Sequence, residues 1–187
     1  ALETMISLLD EGVMPTNAEM GGISDGDLFI SGDLGMLVSG IWMFSAFEEN
    51  SFNWDIQVEP GMATQATHFF ANAVNVFAGT QNAEAAYKWV KFFTSDPAMA
   101  EIRIDSAWEL PALNNPDYVV GYLSQSPPEN RQAVFDSLEY AIVPPVIERQ
   151  NEMTDVIGAA LDQAVLGAIT PLEALEQAKA GIEALLP

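Results

Sequence analysis

The sequence contains no cysteine and a single histidine, His68. Without cysteine the chain forms no disulfide framework and offers no thiolate to a metal ion. A catalytic triad requires a nucleophilic serine or cysteine beside a histidine, and no serine here lies in a Gly-x-Ser-x-Gly segment. These absences argue against hydrolase chemistry of the triad type, and they leave the cellular compartment undecided.

Basic residues are also scarce, because six lysines and arginines stand against 27 aspartates and glutamates. The formal net charge of -21 repels phosphate backbones and anionic lipid surfaces over a Debye length. We therefore expect no nucleic-acid partner. An acidic excess more often solubilises a surface than forms a binding site, so it assigns no ligand by itself.

The chain has no apolar run near the roughly 18 residues that a membrane-spanning helix requires. It also lacks an opening charged segment followed by an apolar core. Hydrophobic residues nevertheless make up 49% of the sequence, which suffices for a packed core. Because the first residues already follow an amphipathic helical pattern, we expect the chain to be a fragment of a larger protein.

Helical periodicity dominates the sequence, and a few short strands are expected between the helices. Apolar alternation or short apolar runs predict strands at residues 36–38, 53–61 and 71–79. The last helix has a complete start signal, with Thr170 as N-cap, Pro171 at the first position and Glu173 closing a capping box. The predicted class is a helix-rich α/β fold, with helices near residues 1–12, 41–47, 81–97, 98–108, 127–141, 153–168 and 170–186.

Candidate metal and catalytic sites are weak. Asp25, Asp27 and Asp33 lie close together as in a calcium loop, but the third early oxygen ligand and the distal glutamate are missing. No glycine loop is followed by the Lys or Ser/Thr that phosphate binding requires. Acids are too abundant for any local pattern to isolate a catalytic carboxyl pair. We predict no metal, no cofactor and no catalytic residue.

The aromatic residues give a stronger signal, because many lie at the ends of elements or in loops. Such positions coincide with the strand ends where open α/β sheets bind ligands. For any single ring, packing in the core is the more frequent role, and spacing alone favours a structural or solvent-facing role for His68 over ligand contact. Trp42 is the exception: Gly40 permits a backbone turn that a side chain would hinder, so that Trp42 faces a crevice.

A sugar ring would suit such a site. An indole covers the apolar C–H face of a sugar, while the hydroxyl groups around its edge need polar partners such as Asn72, His68 or Glu109. Arg103, Arg131 and Arg149 could clamp an anion, but all three fall in helical patterns away from the aromatic loops. We therefore expect a neutral ligand.

The residues from 29 to 42 resemble a family signature. Phe29-x-x-Gly32, Gly35-Met36 and Gly40-x-Trp42 are similar to the Phe-x-x-Gly-x-x-Ala-Met-x-x-x-Gly-x-Trp pattern of extracellular solute-binding proteins of sugar ABC transporters, the maltose-binding protein type. Gly35 stands where that family usually has alanine. The later segments WDIQVEPG, NAVNVFAGTQNAEAAYKWVKFFTSDPAMA, ELPAL and TPLEALEQA resemble the family's order of elements.

The resemblance implies a two-lobed extracytoplasmic protein, periplasmic or a cell-surface lipoprotein, that closes around a sugar and delivers it to membrane ABC permease subunits. It implies that residues 1–187 form the periplasmic-binding-protein-like C-terminal portion, with residues 72–110 a candidate part of the other lobe. In this family the Gly-x-Trp tryptophan typically stacks on sugar. The candidate ligand-binding residues are Trp42, His68, Phe69, Phe70, Asn72, Trp108 and Glu109.

Two alternatives from other classes remain at this stage. One is a glycoside-active enzyme or a carbohydrate-binding module, which the appearance of cleavage products from oligosaccharides would separate from a binding protein. The other is a binder of polyamines or other small cations, which would use the acidic surplus and aromatic boxes.

If the chain is one part of a two-lobed protein, its sugar affinity should be at least ~100-fold weaker than that of the intact protein, a loss of about 2.7 kcal/mol. A half-cleft loses half of the contacts and the closure that excludes water. Calorimetry measures both affinities, and micromolar binding by the 187 residues would contradict the expectation.

In such a partial chain, the apolar surface around residues 69–77 and 87–93 should also be uncovered, which favours self-association.

Overall fold

A computed structural model of the protein describes residues 1–48, 52–107 and 109–186. The chain divides into a first unit, residues 1–22 and 144–187, and a second unit, residues 23–143. Both are largely helical, as the sequence predicts. The elements are α1 (Leu2–Asp10), α2 (Asn17–Met20), α3 (Asp25–Ser31), α4 (Phe44–Phe47), β1 (Thr67–His68), α5 (Ala83–Ser95), α6 (Pro97–Asp105), α7 (Pro116–Leu123), α8 (Gln132–Ser137), β2 (Ala141–Ile142), α9 (Gln150–Val165) and α10 (Pro171–Glu183), with 3-10 turns at Ile41–Met43 and Leu138–Tyr140.

The core of the first unit is built from small side chains. Helices α9 and α10 pack against each other, and alanines on both helices are buried where they meet. Helix α1 contributes Leu2, so residues from the two ends of the chain share one core. Alanine removes little surface per residue but lets helix backbones approach closely, and larger apolar residues surround it. The core consists of Leu2, Ala160, Ala164, Ala174 and Ala178, with Ile6, Ile157, Leu161 and Ile169 packed against them.

Helix α10 begins with the capping box that the sequence predicts. The Thr170 hydroxyl accepts from the Glu173 backbone N–H at 3.3 Å, and the Glu173 carboxylate accepts from the Thr170 backbone N–H at 2.8 Å. The Thr170 hydroxyl also donates to the Glu173 carboxylate at 2.8 Å. The two hydrogen bonds that the carboxylate accepts, first the one from the Thr170 backbone and then the one from its hydroxyl, lower the pKa of Glu173. Their contribution to stability is therefore present above the ordinary carboxyl pKa and is lost as the pH falls through the lowered folded-state value.

Helices α5 and α6 follow each other closely in the second unit. Helix α5 is rich in good helix formers and ends at Ser95, just before Pro97. The Asp96 side chain then caps α6 by accepting from the Ala98 backbone N–H at 3.0 Å. Helix α6 packs in turn against α7. Among the described residues, no helix is both long enough and apolar enough to cross a bilayer.

Among the described residues, the sheet of the second unit is limited to one short parallel ladder. Thr67 lies opposite Ala141 and His68 opposite Ile142. The Phe69 backbone N–H extends the ladder by donating to the Ile142 carbonyl at 2.9 Å. This ladder brings the chain that follows β1 next to the chain that follows β2, and the first of these segments carries several candidate residues.

The strands predicted at 36–38, 53–61 and 71–79 are wrong. These segments have neither helix nor strand structure, and Met36 is 85% exposed. A strand requires a neighbouring strand to complete its hydrogen bonds, and the described residues place none beside these segments. Asn130 holds part of the second segment instead: its backbone N–H donates to the Asp55 carboxylate at 2.8 Å and its side-chain amide to the Ile56 carbonyl at 3.0 Å.

Several helices also differ from expectation. Helix α8 is shorter than the predicted helix at 127–141 because turns precede it and a 3-10 turn follows it. Residues 16–27, expected as a loop, contain α2 and the start of α3, and helix α7 was not predicted either. Its start signal is nevertheless present: Asn115 caps it by accepting from the Asp117 N–H at 3.0 Å, and Pro116 occupies the first position.

A buried arginine organises the packing of the second unit. Arg131 is only 1% exposed. Its guanidinium donates to the carbonyls of Gln125 at 3.0 Å and Pro127 at 2.8 Å. The same group lies 4.8 Å from the centre of the Tyr122 ring and 5.5 Å from that of Phe44. None of the ion pairs in the described part of the chain involves it, so rings and carbonyls stabilise this charge.

Two glycine substitutions test how closely α9 and α10 pack. At Gly158 in α9 a Cβ would meet nothing within 4 Å, so Gly158→Ala should stabilise the protein by about 0.4–1 kcal/mol through helix propensity. At Gly181 in α10 a Cβ would overlap the Val156 side chain, which is stiff because it is β-branched. Overpacking costs ~1–3 kcal/mol, so Gly181→Ala should show a net loss.

Chemical denaturation of both variants measures the difference. Equal stabilisation by the two alanines would show that α9 and α10 lie further apart than this structure places them.

Replacing Arg131 with lysine keeps the positive charge but removes the planar fork. Arg131→Lys should lose about 1–3 kcal/mol, because one ammonium cannot satisfy both carbonyls and stack on two rings. Arg149→Lys is the matched control, since Arg149 is half exposed and pairs with Glu152 one turn away. Its denaturation midpoint should not change. Equal midpoints for the two variants would contradict the organising role of Arg131.

Candidate functional site

The structure brings Trp42, His68 and Phe70 together as an aromatic cluster. The His68 ring stacks on the Phe70 ring with centres 3.8 Å apart and planes 27° apart. The Trp42 ring meets Phe70 edge-on, with centres 5.3 Å apart and planes 88° apart. His68 ends β1 and Phe70 follows two residues later, so the ladder between β1 and β2 sets the position of both rings. Three of the predicted site residues therefore share one surface.

Gly40 makes room for the Trp42 ring. The backbone of Gly40 is extended, with φ -120° and ψ 170°, a conformation that any residue adopts. The predicted reason for this glycine, a turn that a side chain would hinder, is therefore wrong. The Trp42 ring instead folds back against Gly40, where a Cβ would overlap its six-membered ring. The glycine and the tryptophan act as a pair through their packing.

The aromatic cluster lies at the surface, whereas the two phenylalanines that closely follow Trp42 in the sequence are buried. Trp42 is 44% exposed and Phe70 is 58% exposed. Phe44 and Phe47 in α4 are each only 5% exposed, and both pack on Trp54 with ring centres 5.6 and 5.5 Å away. The segment from 41 to 47 thus directs its phenylalanines into the core and leaves the indole accessible.

Asn72, Glu109 and Arg103 form a polar network. The Asn72 amide donates to one carboxylate oxygen of Glu109 at 2.8 Å. The Arg103 guanidinium forms an ion pair with the other oxygen, and the two side chains are only 11% and 16% exposed. Burial lowers the pKa of Arg103, although an arginine remains protonated at any working pH. The network is joined to the aromatic cluster through the chain from Phe70 to Asn72.

Arg103 is a residue of this site that the sequence did not indicate. It lies in α6, as expected, but its side chain reaches Glu109 in the loop that follows. Its guanidinium also stacks 4.3 Å from the centre of the Phe93 ring and donates to the Phe93 carbonyl at 3.4 Å. The sequence signal that could have indicated it is the shortage of cations, since six lysines and arginines stand among 27 acids.

The two remaining candidates are Phe69 and Trp108. Phe69 is 44% exposed, and its backbone contributes to the ladder. Trp108 lies outside the described residues. Two surface grooves lie along α5, one lined by Lys88, Lys91, Phe92, Ser95 and Asp96, and neither contains a candidate residue. The exposed rings of Trp42, Phe69 and Phe70 nevertheless lie at the surface of the described chain.

The aspartates that resemble a calcium loop use their oxygens locally. Asp25 accepts from the Gly26 backbone N–H at 2.8 Å, and Asp27 and Asp33 accept from the Ser24 and Ser31 hydroxyls at 2.8 Å. Within the described ranges, no group of three or more acids, histidines or cysteines is arranged to hold a metal ion.

Comparison with known proteins assigns the chain to a family. Residues 1–115 match the family model described as bacterial extracellular solute-binding protein. Among solved structures, an ABC substrate-binding protein from Listeria monocytogenes, determined in complex with cycloalternan, is similar at 38% identity and a TM-score of 0.89. That match covers 95% of this chain and 46% of the other, so this chain spans about half the length of that protein. No curated protein matches the chain.

Proposed function

Because the chain belongs to the bacterial extracellular solute-binding proteins, we propose that it is part of an extracytoplasmic protein that binds a neutral oligosaccharide and delivers it to membrane ABC permease subunits. The observation that carries the proposal is the exposed indole of Trp42, which packs against Gly40 and forms a T-shaped contact with Phe70. The intact protein would be periplasmic or anchored at the cell surface.

The Trp42 surface suits the apolar face of a sugar. An indole ring presents a large rigid area at low cost in conformational entropy, and here its position is set by packing on two sides. The polar network offers complementary groups close by along the chain. The Asn72 carbonyl oxygen and the unused lone pairs of the Glu109 carboxylate accept hydrogen bonds from hydroxyl groups.

The charges near the site favour a neutral ligand. Each of the three arginines is already engaged: Arg103 with Glu109, Arg131 with two backbone carbonyls, and Arg149 with Glu152. None is free to clamp a phosphate or a carboxylate of the ligand. A small-cation ligand finds less support, because the acid of the candidate set, Glu109, is already paired.

The similar Listeria protein indicates which sugars to test first. Its structure was determined with cycloalternan, and its similarity extends over 95% of this chain. We therefore propose cycloalternan or a related neutral oligosaccharide as the ligand, and a role in binding without cleavage.

We further propose that the isolated chain self-associates. The proposal is supported by exposed rings in residues 69–77 and in α5, among them Phe77, Tyr87 and Trp89.

A ligand panel tests the proposed function. The chain is titrated in a thermal-shift assay and by ligand-observed NMR with millimolar cycloalternan, other neutral oligosaccharides, sugar acids and sugar phosphates. Saturable binding of neutral sugars alone is expected, and chromatography should show the sugars intact. Stabilisation only by sugar acids or phosphates would overturn the neutral-ligand proposal. Cleavage products would assign the protein to the glycoside-active enzymes instead.

Trp42→Ala separates a role in binding from a role in the core. Because the indole is only half buried, the loss of stability should be well below the ~3–5 kcal/mol of a core aromatic, which Phe44→Ala provides as a reference. Sugar affinity should fall at least tenfold, about 1.4 kcal/mol. Trp89→Ala is the binding control, since Trp89 is an exposed tryptophan of α5 outside the candidate site. A large loss of stability with unchanged affinity would return Trp42 to the core.

A further inference from the structure

The two oxygens of the Glu109 carboxylate have different partners. One accepts from the Asn72 amide and the other is paired with Arg103. Asn72 is neutral, so the polar network as a whole carries no net charge. Each oxygen keeps one lone pair for a further donor. Glu109 therefore offers hydrogen-bond acceptors to a ligand without an uncompensated negative charge.

Arg103 has a second contact besides Glu109. The central carbon of its guanidinium lies over the Phe93 ring, 4.3 Å from the ring centre, and one of its N–H groups donates to the Phe93 carbonyl. Because α6 carries Arg103 and the adjacent α5 carries Phe93, the packed helix pair fixes where this positive charge lies. The exposed fraction of the Arg103 side chain is only 11%, so solvent screens the pair less than it screens a surface ion pair.

We infer that Arg103 is a specificity-determining residue: it cancels the charge of Glu109 and orients its carboxylate, so that the site accepts neutral sugars and rejects cationic ligands. The inference rests on the proposed function for the identity of the sugar. It makes a separate claim about charge, however, because removing Arg103 leaves a carboxylate and exposed aromatic rings, the combination that attracts organic cations.

The test compares spermidine and neutral oligosaccharide binding by calorimetry at physiological ionic strength. Arg103→Met keeps a long apolar stem and a sulfur that can contact the Phe93 ring, and it removes the charge. It should bind spermidine at least tenfold more tightly than the unmodified chain does and bind neutral sugar more weakly. Arg103→Lys keeps the charge and should show no such gain.

Matched controls separate the local effect from the general acidity of the protein. Arg149→Met changes the net charge by the same amount, but it frees Glu152, which lies in the first unit. Its spermidine affinity should remain that of the unmodified chain. The double variant Arg103→Met with Glu109→Gln should lose the gain, because the unpaired carboxylate is then absent.

The outcomes distinguish this inference from the proposed function. A spermidine gain in Arg103→Met without sugar binding by any variant would support the role of Arg103 and contradict the sugar proposal. Equal gains in Arg103→Met and Arg149→Met, or a gain that survives Glu109→Gln, would overturn the inference. If Arg103→Met does not fold, Glu109→Gln alone leaves an unpaired guanidinium and should bind glucuronate more tightly than the unmodified chain; unchanged glucuronate binding would also overturn it.

Discussion

The packing of the second unit depends on a guanidinium that is buried without a carboxylate partner in the described structure. Arg131 donates to two carbonyls of the loop before it and contacts the rings of Tyr122 and Phe44. Burial raises the pKa of the Tyr122 phenol by more than the nearby guanidinium lowers it. The phenol therefore stays neutral beside the cation. A planar, weakly hydrated group is suited to such surroundings, because it stacks on rings and donates in its own plane.

This arrangement extends to the candidate site through the chain. Phe44 packs on Arg131 and Trp54, and the 3-10 turn immediately before it carries Trp42. Asn130, next to Arg131, holds the segment at Asp55 and Ile56. The exposed indole is thus attached to one of the most buried parts of the molecule. A ligand-binding ring gains from such support, because ordering it on binding then costs little entropy.

The shortage of cations gives each arginine a distinct role. Arg131 contacts two rings and donates to two loop carbonyls, Arg103 forms a largely buried pair with Glu109, and Arg149 forms an exposed pair with Glu152 in the first unit. In a chain of net charge -21, one cation placed beside a particular acid changes the local potential far more than the average composition indicates. An acidic surface is therefore compatible with a candidate site that carries no net charge.

The sequence alone determined the helix-rich class and the start of α10, because helices and their caps depend on residues three or four positions apart. It could also single out Asn72 and Glu109 by residue type. Only the tertiary structure decided that residues 36–38, 53–61 and 71–79 have no strand partner among the described residues, that Arg131 is buried, and that Arg103 meets Glu109. Strand ladders, ion pairs across loops and ring contacts join residues that are distant along the chain, so their formation depends on which surfaces the helices bring together.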